Sequence, residues 1–215
     1  MATLLITRPS YELTTRYFSR WSKYVIDEAK LKDLKLIDLT DKKAERDGFL
    51  GRLRKKADSR MLVFINGHGN EDEIAGQDDK ILISKEDVSA LAGKIVYARA
   101  CNSINGLGQK AIKEGAVSYI GYDIAFVFYI EIDKVSKPLD DKTAALFLEP
   151  SNYAAICIIK GHSVEDANLR SRDKFLSNIK KILLEGPGSP YFYTIGDLYA
   201  DMTHQALLGE KAAKL

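Results

Sequence analysis

Hydrophobic and polar positions fall along this chain in two kinds of block. Short, near-continuous apolar runs at residues 3–7, 34–39, 61–65, 94–100 and 116–121 read as strands covered on both faces. Between them lie longer stretches with helical spacing. Residues 11–30 bring Leu13, Tyr17, Trp21, Tyr24 and Val25 to one side, and the charged stretch 42–58 keeps Phe49, Leu50 and Leu53 on its apolar side. Ser84 reads as the N-cap of a helix, with Asp87 completing a capping-box-like pattern and Gly93 ending it. Residues 105–115 form a further helix, opened by small residues, and 81–83 is a short extended piece after an acidic, glycine-containing loop at 70–80. The alternation of strand and helix implies a mostly parallel sheet with helices on both faces.

The second half is less regular. Residues 131–141 are polar, contain Pro138 and read as an exposed loop. Residues 152–159 read as a strand and 163–184 as a long helix, and Gly186-Pro187-Gly188-Ser189-Pro190 is a firm break. The remainder reads as one strand-like piece followed by a terminal helix. No internal repeat or low-complexity region is evident.

At 215 residues the chain fits one domain with a substantial core, comprising a sheet core over 1–122 and a less regular part over 123–215. A net charge of +2 gives no reason to expect a nucleic-acid or membrane partner. The two cysteines, Cys101 and Cys157, sit in separate expected strands, which suggests a reduced, cytoplasmic setting and no disulfide framework. The first residues read as a strand and not as a signal peptide. The apolar run 124–130 is far short of the roughly 20 residues that cross a bilayer. No CxxC or HExxH speaks for zinc, and no Walker A loop or Gly-x-Gly-x-x-Gly follows the first strand. No metal or cofactor is therefore expected.

Candidate chemistry concentrates where two apolar runs stop, at His68 and at Cys101. In an open α/β sheet, ligands bind at the carboxyl ends of the strands, and both residues belong there. A helix starting near Asn105 would lower the Cys101 pKa by its positive end. His68 could take the thiol proton and return it to a leaving amine. The N–H groups of Gly69 and Cys101 could form an oxyanion hole.

Asn66-Gly67-His68-Gly69 followed by Ala100-Cys101-Asn102-Ser103, with Gly106-Leu107-Gly108 leading into Gly115-Ala116-Val117-Ser118-Tyr119-Ile120-Gly121, resembles the caspase-like (clan CD) cysteine peptidases. The pattern is nearest that of CHAT-domain and gingipain-type members and covers about residues 61–122. The resemblance implies a caspase-like three-layer α/β sandwich around a mostly parallel sheet of about six strands. It implies a cysteine endopeptidase acting on protein or peptide substrates, with Cys101 as nucleophile, His68 as base and acid, and Gly69 as oxyanion donor. The residue two before the cysteine, Arg99, would shape the pocket for the side chain preceding the scissile bond, and its guanidinium would favour an acidic side chain. Asp123 would argue for a basic one if it lined the same pocket, or it could pair with Arg99. Regulation by a protein partner, or by processing in the 131–141 loop, follows by analogy.

Other readings attach to the same residues. Cys157 reads as core, His162 as a minor rival base, and His204 lacks comparable context. The run Glu71-Asp72-Glu73 with Asp78-Asp79 could bind calcium but has no EF-hand spacing and reads as a solvated loop. The rival functions are a catalytically inactive caspase-like interaction module and a flavodoxin-like domain holding an anion at its sheet edge.

Overall fold

The computed structural model describes residues 1–55 and 60–215. Its strands are β1 (Thr3–Arg8), β2 (Lys35–Thr40), β3 (Met61–Asn66), β4 (Glu73–Ala75), β5 (Ile81–Ser84), β6 (Ile95–Arg99), β7 (Ser118–Tyr122) and β8 (Gln205–Gly209). Its α-helices are α1 (Leu13–Trp21), α2 (Lys23–Leu31), α3 (Arg46–Arg54), α4 (Gln109–Lys113), α5 (Lys142–Ile159), α6 (Val164–Glu185) and α7 (Ile195–His204).

Six strands form one sheet in the order β2-β1-β3-β6-β7-β8. All neighbours in it are parallel except β7 and β8, which are antiparallel. β4 and β5 pair in a small antiparallel sheet. The period of two along a strand decides what each side chain meets. From β3, Leu62 and Phe64 enter a core with Tyr17, Trp21, Phe147 and Phe175 from the α1, α2, α5 and α6 layer. Val63 and Ile65 enter a second core with Phe49, Leu53, Ile83 and Leu107. The result is the α/β three-layer architecture with a central, mostly parallel sheet.

Several expectations are corrected. The run 152–159 is not a strand but the second half of α5, and Cys157 is therefore a buried helix residue. A continuous apolar run has the same signature in a buried strand and a buried helix, and α5 is buried on most of its circumference. Pro150 lies inside it without breaking it. Proline cannot bond back to the carbonyl of residue i−4, and Asn178 Nδ2 from α6 donates to that freed Leu146 carbonyl at 2.9 Å.

The end of the chain has the reverse of the expected order, with helix α7 first and strand β8 last. The helix expected over 11–30 is interrupted at Ser22, whose hydroxyl donates to the Phe18 carbonyl at 2.8 Å. The capping pattern at Ser84 is real in part: Asp87 Oδ2 accepts from the Ser84 N–H at 3.0 Å, but only a 3-10 turn, Val88–Leu91, follows before Gly93 at φ 71°. The helix expected over 42–58 runs as a 3-10 turn, Asp41–Lys43, and then α3, and positions 56–58 of it lie outside the described residues. Among the described residues no helix is long and apolar enough to cross a membrane.

Asp141 shows how the helical layer is tied down. Its buried carboxylate caps α5 by accepting from the Ala144 N–H at 2.8 Å, and also accepts from Tyr17 Oη and the Glu131 N–H, each at 2.9 Å. Asp141→Ala removes a cap and strands a buried tyrosine hydroxyl, so it is expected to cost about 2–4 kcal/mol. Urea unfolding followed by circular dichroism measures this, with Asp141→Asn losing less.

Candidate functional site

The site is set by the register of β3 on β6, which pairs Asn66 with Arg99 at the carboxyl edge of the sheet. Each strand runs on two residues beyond that pair, to His68 on one side and Cys101 on the other. Both side chains line one cleft of about 310 Å³, together with Thr14 and Phe18 of α1, Gly67, Arg99, Ala100 and the segment Phe126-Val127-Phe128. The structure thus brings together His68, Cys101 and Arg99, with Gly69 beside them.

Close contact explains the two glycines around His68. A Cβ on Gly67 would lie 2.1 Å from the Ala75 carbonyl oxygen, and one on Gly69 would lie 2.9 Å from Ala100 Cβ and 3.2 Å from the Cys101 carbonyl oxygen. Only glycine lets the His68 loop lie this close to the cysteine turn and to β4. Among the described residues neither the Gly69 N–H nor the Cys101 N–H has a hydrogen-bond acceptor in another residue. Asn102, directly after the cysteine, is in the left-handed region at φ 53°, and its N–H donates to the Ile124 carbonyl at 3.1 Å. Asn tolerates that conformation better than most residues.

His68 is half exposed. Its Nε2 lies 3.5 Å from Glu12 Oε1, and Tyr11 meets the imidazole edge-on at 6.5 Å between centroids. Glu12 is also the N-cap of α1, accepting from the Thr15 N–H at 2.5 Å and the Thr14 N–H at 2.8 Å. Burial works to raise its pKa, but those hydrogen bonds and His68 together hold it below the usual carboxylate value. The sequence reading missed Tyr11 and Glu12. The signal was available in topology: β1 lies beside β3, so the loop leaving β1 must adjoin the loop leaving β3.

The thiol departs from expectation. The Cys101 pKa is raised, chiefly by burial, with the nearby Phe126 backbone N–H acting in the opposite direction. The chain after it winds as a π-turn, Ile104–Gly108, before the short helix α4, and the expected lowering by a helix N-terminus does not prevail. Burial thus favours the neutral thiol over the thiolate.

Arg99 is fully buried, and burial lowers its pKa to about 10. Its Nε and Nη2 donate to Asn66 Oδ1 at 3.0 and 2.6 Å, Nη1 to Asn152 Oδ1 at 3.0 Å, and Nη2 to the Phe18 carbonyl at 3.3 Å. The guanidinium stands 4.5 Å from the Phe18 ring centroid and 5.3 Å from that of Phe64.

Asp123 is corrected. It neither lines this cleft nor pairs with Arg99; its Oδ1 lies 2.7 Å from His204 Nδ1 and its N–H donates to the His204 carbonyl, closing the β7–β8 end. His162 is likewise no rival base. It sits in the α5–α6 turn, 2.9 Å from Asp166, and the Val164 N–H there bonds to the Ala213 carbonyl near the amino ends of the strands. The acidic loop is engaged piecemeal, Asp72 with Lys85 and Asp79 with Tyr11, and no group of three metal-capable side chains converges among the described residues.

Behind the cleft wall, buried Asp201 accepts from the Val127 N–H at 3.2 Å through Oδ1, while Oδ2 has no partner among the described residues. Burial holds its pKa well above the carboxylate range. A carboxyl whose folded pKa exceeds its unfolded value stabilises the fold below the unfolded pKa and ceases to do so as pH rises through the folded one. Asp201→Asn should therefore flatten that dependence, raising stability at neutral and alkaline pH relative to wild type but not below about pH 4. Thermal unfolding across pH checks it, and parallel curves for the two proteins would contradict it.

No family model matches this sequence, and no curated protein matches it. Among solved structures, the fold is similar to the complex of the pro- and mature domains of RgpB from Porphyromonas gingivalis, with a TM-score of 0.60 at 11% identity. The match covers 99% of this chain and 47% of that one, so the chain spans about half the length of its structural neighbour. The likeness is one of architecture and does not extend to the CHAT-type pattern: the chain has a caspase-like fold.

Proposed function

We propose that this protein is a cysteine endopeptidase that cleaves peptide bonds of protein or peptide substrates through Cys101 and His68. The observation that carries the reading is that these two side chains, from the ends of adjacent parallel strands, line one cleft. The 11%-identical neighbour lends the fold and no more.

The chemistry follows from the groups present. Because burial favours the neutral thiol, His68 takes the Sγ proton as sulfur attacks the substrate carbonyl carbon. The oxygen that gains charge is met by the N–H groups of Gly69 and Cys101, which have no competing acceptor from another residue. The imidazolium then returns its proton to the leaving amine, and a thioester on Cys101 remains. His68 next takes a proton from water, hydroxide attacks the thioester, and the acid product leaves with the thiol restored. Glu12 orients the imidazole and supports its charge. At 3.5 Å and partly exposed, it contributes modestly.

A peptide is favoured over a small molecule by the cleft's far wall. Residues 125–130 form no helix or strand and make no backbone–backbone hydrogen bond among the described residues. Apart from the Val127 N–H, which donates to Asp201, the backbone groups of this segment can pair with an extended substrate. Control by a protein partner or by processing at 131–141 is the corresponding regulatory reading. That segment carries the exposed Ile132 and is anchored at its ends by Glu131 to Thr143 and by Asp141 to α5.

Hydrolysis of a fluorogenic peptide library tests the reading. Cys101→Ala should abolish turnover, His68→Ala should lower it by about 10²–10⁴-fold, and Glu12→Gln by about threefold. If folded wild type cleaves nothing across a broad panel, with or without limited proteolysis, the catalytically inactive interaction module is the better reading.

A further inference from the structure

We propose that the free edge of β2 is a docking site for an extended, acidic segment of a partner protein, which adds one more strand to the sheet. The groove concerned shares no residue with the cleft that holds Cys101, and the proposal does not depend on the chemistry there.

β2 stands at the end of the sheet order and pairs with β1 alone. The Lys35 N–H donates to the Ala2 carbonyl at 3.0 Å. Backbone groups alternate sides along a parallel strand, so those of Leu36, Asp38 and Thr40 point away from β1. Among the described residues no other backbone group pairs with them. This edge opens into a groove of about 390 Å³, flanked by Lys43, by Arg52 of α3 and by Lys55 just after that helix.

Free edges are usually blunted by shortness, a proline, a bulge or an inward-pointing charge. β2 is six residues long and has no proline. Its register with β1 is unbroken from Thr3↔Lys35 to Arg8↔Thr40. Its one carboxylate, Asp38, is held by Arg8 at 2.6 Å. Of the cations around the groove only Lys35 lies on the strand and could guard it. Lys43, Arg52 and Lys55 stand beside it on the flanking turn and helix. All four are exposed, and none has an ion-pair or hydrogen-bond partner among the described residues.

These features choose the occupant. Free peptide groups at every second residue match another extended backbone, and the unpaired cations beside them favour one that carries carboxylates. A second copy of this chain is disfavoured, because an isologous β2–β2 pairing sets the same cations against each other. A nucleic acid would use the charges but would leave the free peptide groups and the half-buried Leu36 and Ile37 unmatched.

Fluorescence anisotropy on the full chain, with a capped hexapeptide of alternating glutamate and valine, tests the proposal. The peptide should bind about tenfold more tightly than its glutamine analogue at low salt and lose most of that advantage at high salt. N-methylation of alternate peptide residues, which removes the donors of one strand edge, should weaken binding by about tenfold. Lys43→Glu combined with Lys55→Glu should weaken it by about tenfold as well, which assigns the peptide to this groove and not to the cleft. Leu36→Pro deletes one outward N–H while sparing the pairing with β1 and should act in the same direction. The N-methylated peptide decides the same point if that variant fails to fold. Equal binding of the glutamine analogue, indifference to N-methylation, or no binding at all overturns the proposal. So does a wild-type dimer in sedimentation that Leu36→Pro dissolves, which gives the edge to a second copy. Tighter binding of a single-stranded oligonucleotide, weakened by the same two lysine substitutions, overturns it too.

Discussion

The guanidinium of Arg99 is the point on which the arrangement of the cleft depends. It joins the last residue of β6 to the last residue of β3 through Asn66 and to α5 through Asn152, and it reaches α1 at the Phe18 carbonyl. Asn66 in turn donates to the Thr7 carbonyl on β1 at 2.7 Å, and Asn152 to the Trp21 carbonyl at 2.8 Å. Three adjacent strand ends and two helices are therefore fixed by one buried network, immediately beneath the loops that carry His68 and Cys101. Such a network is worth having only if it is nearly complete, since each unpaired member would cost about 1–3 kcal/mol. Four strong donations and two flanking aromatic rings hold the cation in place without cancelling its charge.

Contacts of the same kind govern the proposed nucleophile, Cys101. Burial raises the Cys101 pKa, and the nearby Phe126 backbone N–H acts in the opposite direction. Val127, next to Phe126 in the far wall of the cleft, is held by Asp201.

The first five strands of the sheet were legible in the sequence because their apolar runs are short and bounded by loops and helices of clear pattern. His68 and Cys101 stood out because each ends such a run. Three things were not legible. Residues 152–159 carry too little periodicity to separate strand from helix, and the helix runs through Pro150 because Asn178 takes up the freed Leu146 carbonyl. The strand β8 is short, partly buried and at the sheet edge, where its pattern is weak. The role of Asp123 depended on His204, 81 positions away, and no local spacing reports such a contact. Glu12 and Tyr11 were hidden for the same reason, although the adjacency of β1 and β3 could have pointed to them.

That Cys101 and His68 act together on a carbonyl is tested most directly by a set of peptidyl acyloxymethyl ketones that differ in the residue next to the reactive group, followed by peptide mapping of the intact protein. The expected result is one adduct, on Cys101, formed much faster in wild type than in His68→Ala and not at Cys157. Labelling that is unchanged by His68→Ala, or that falls equally on both cysteines, would contradict it.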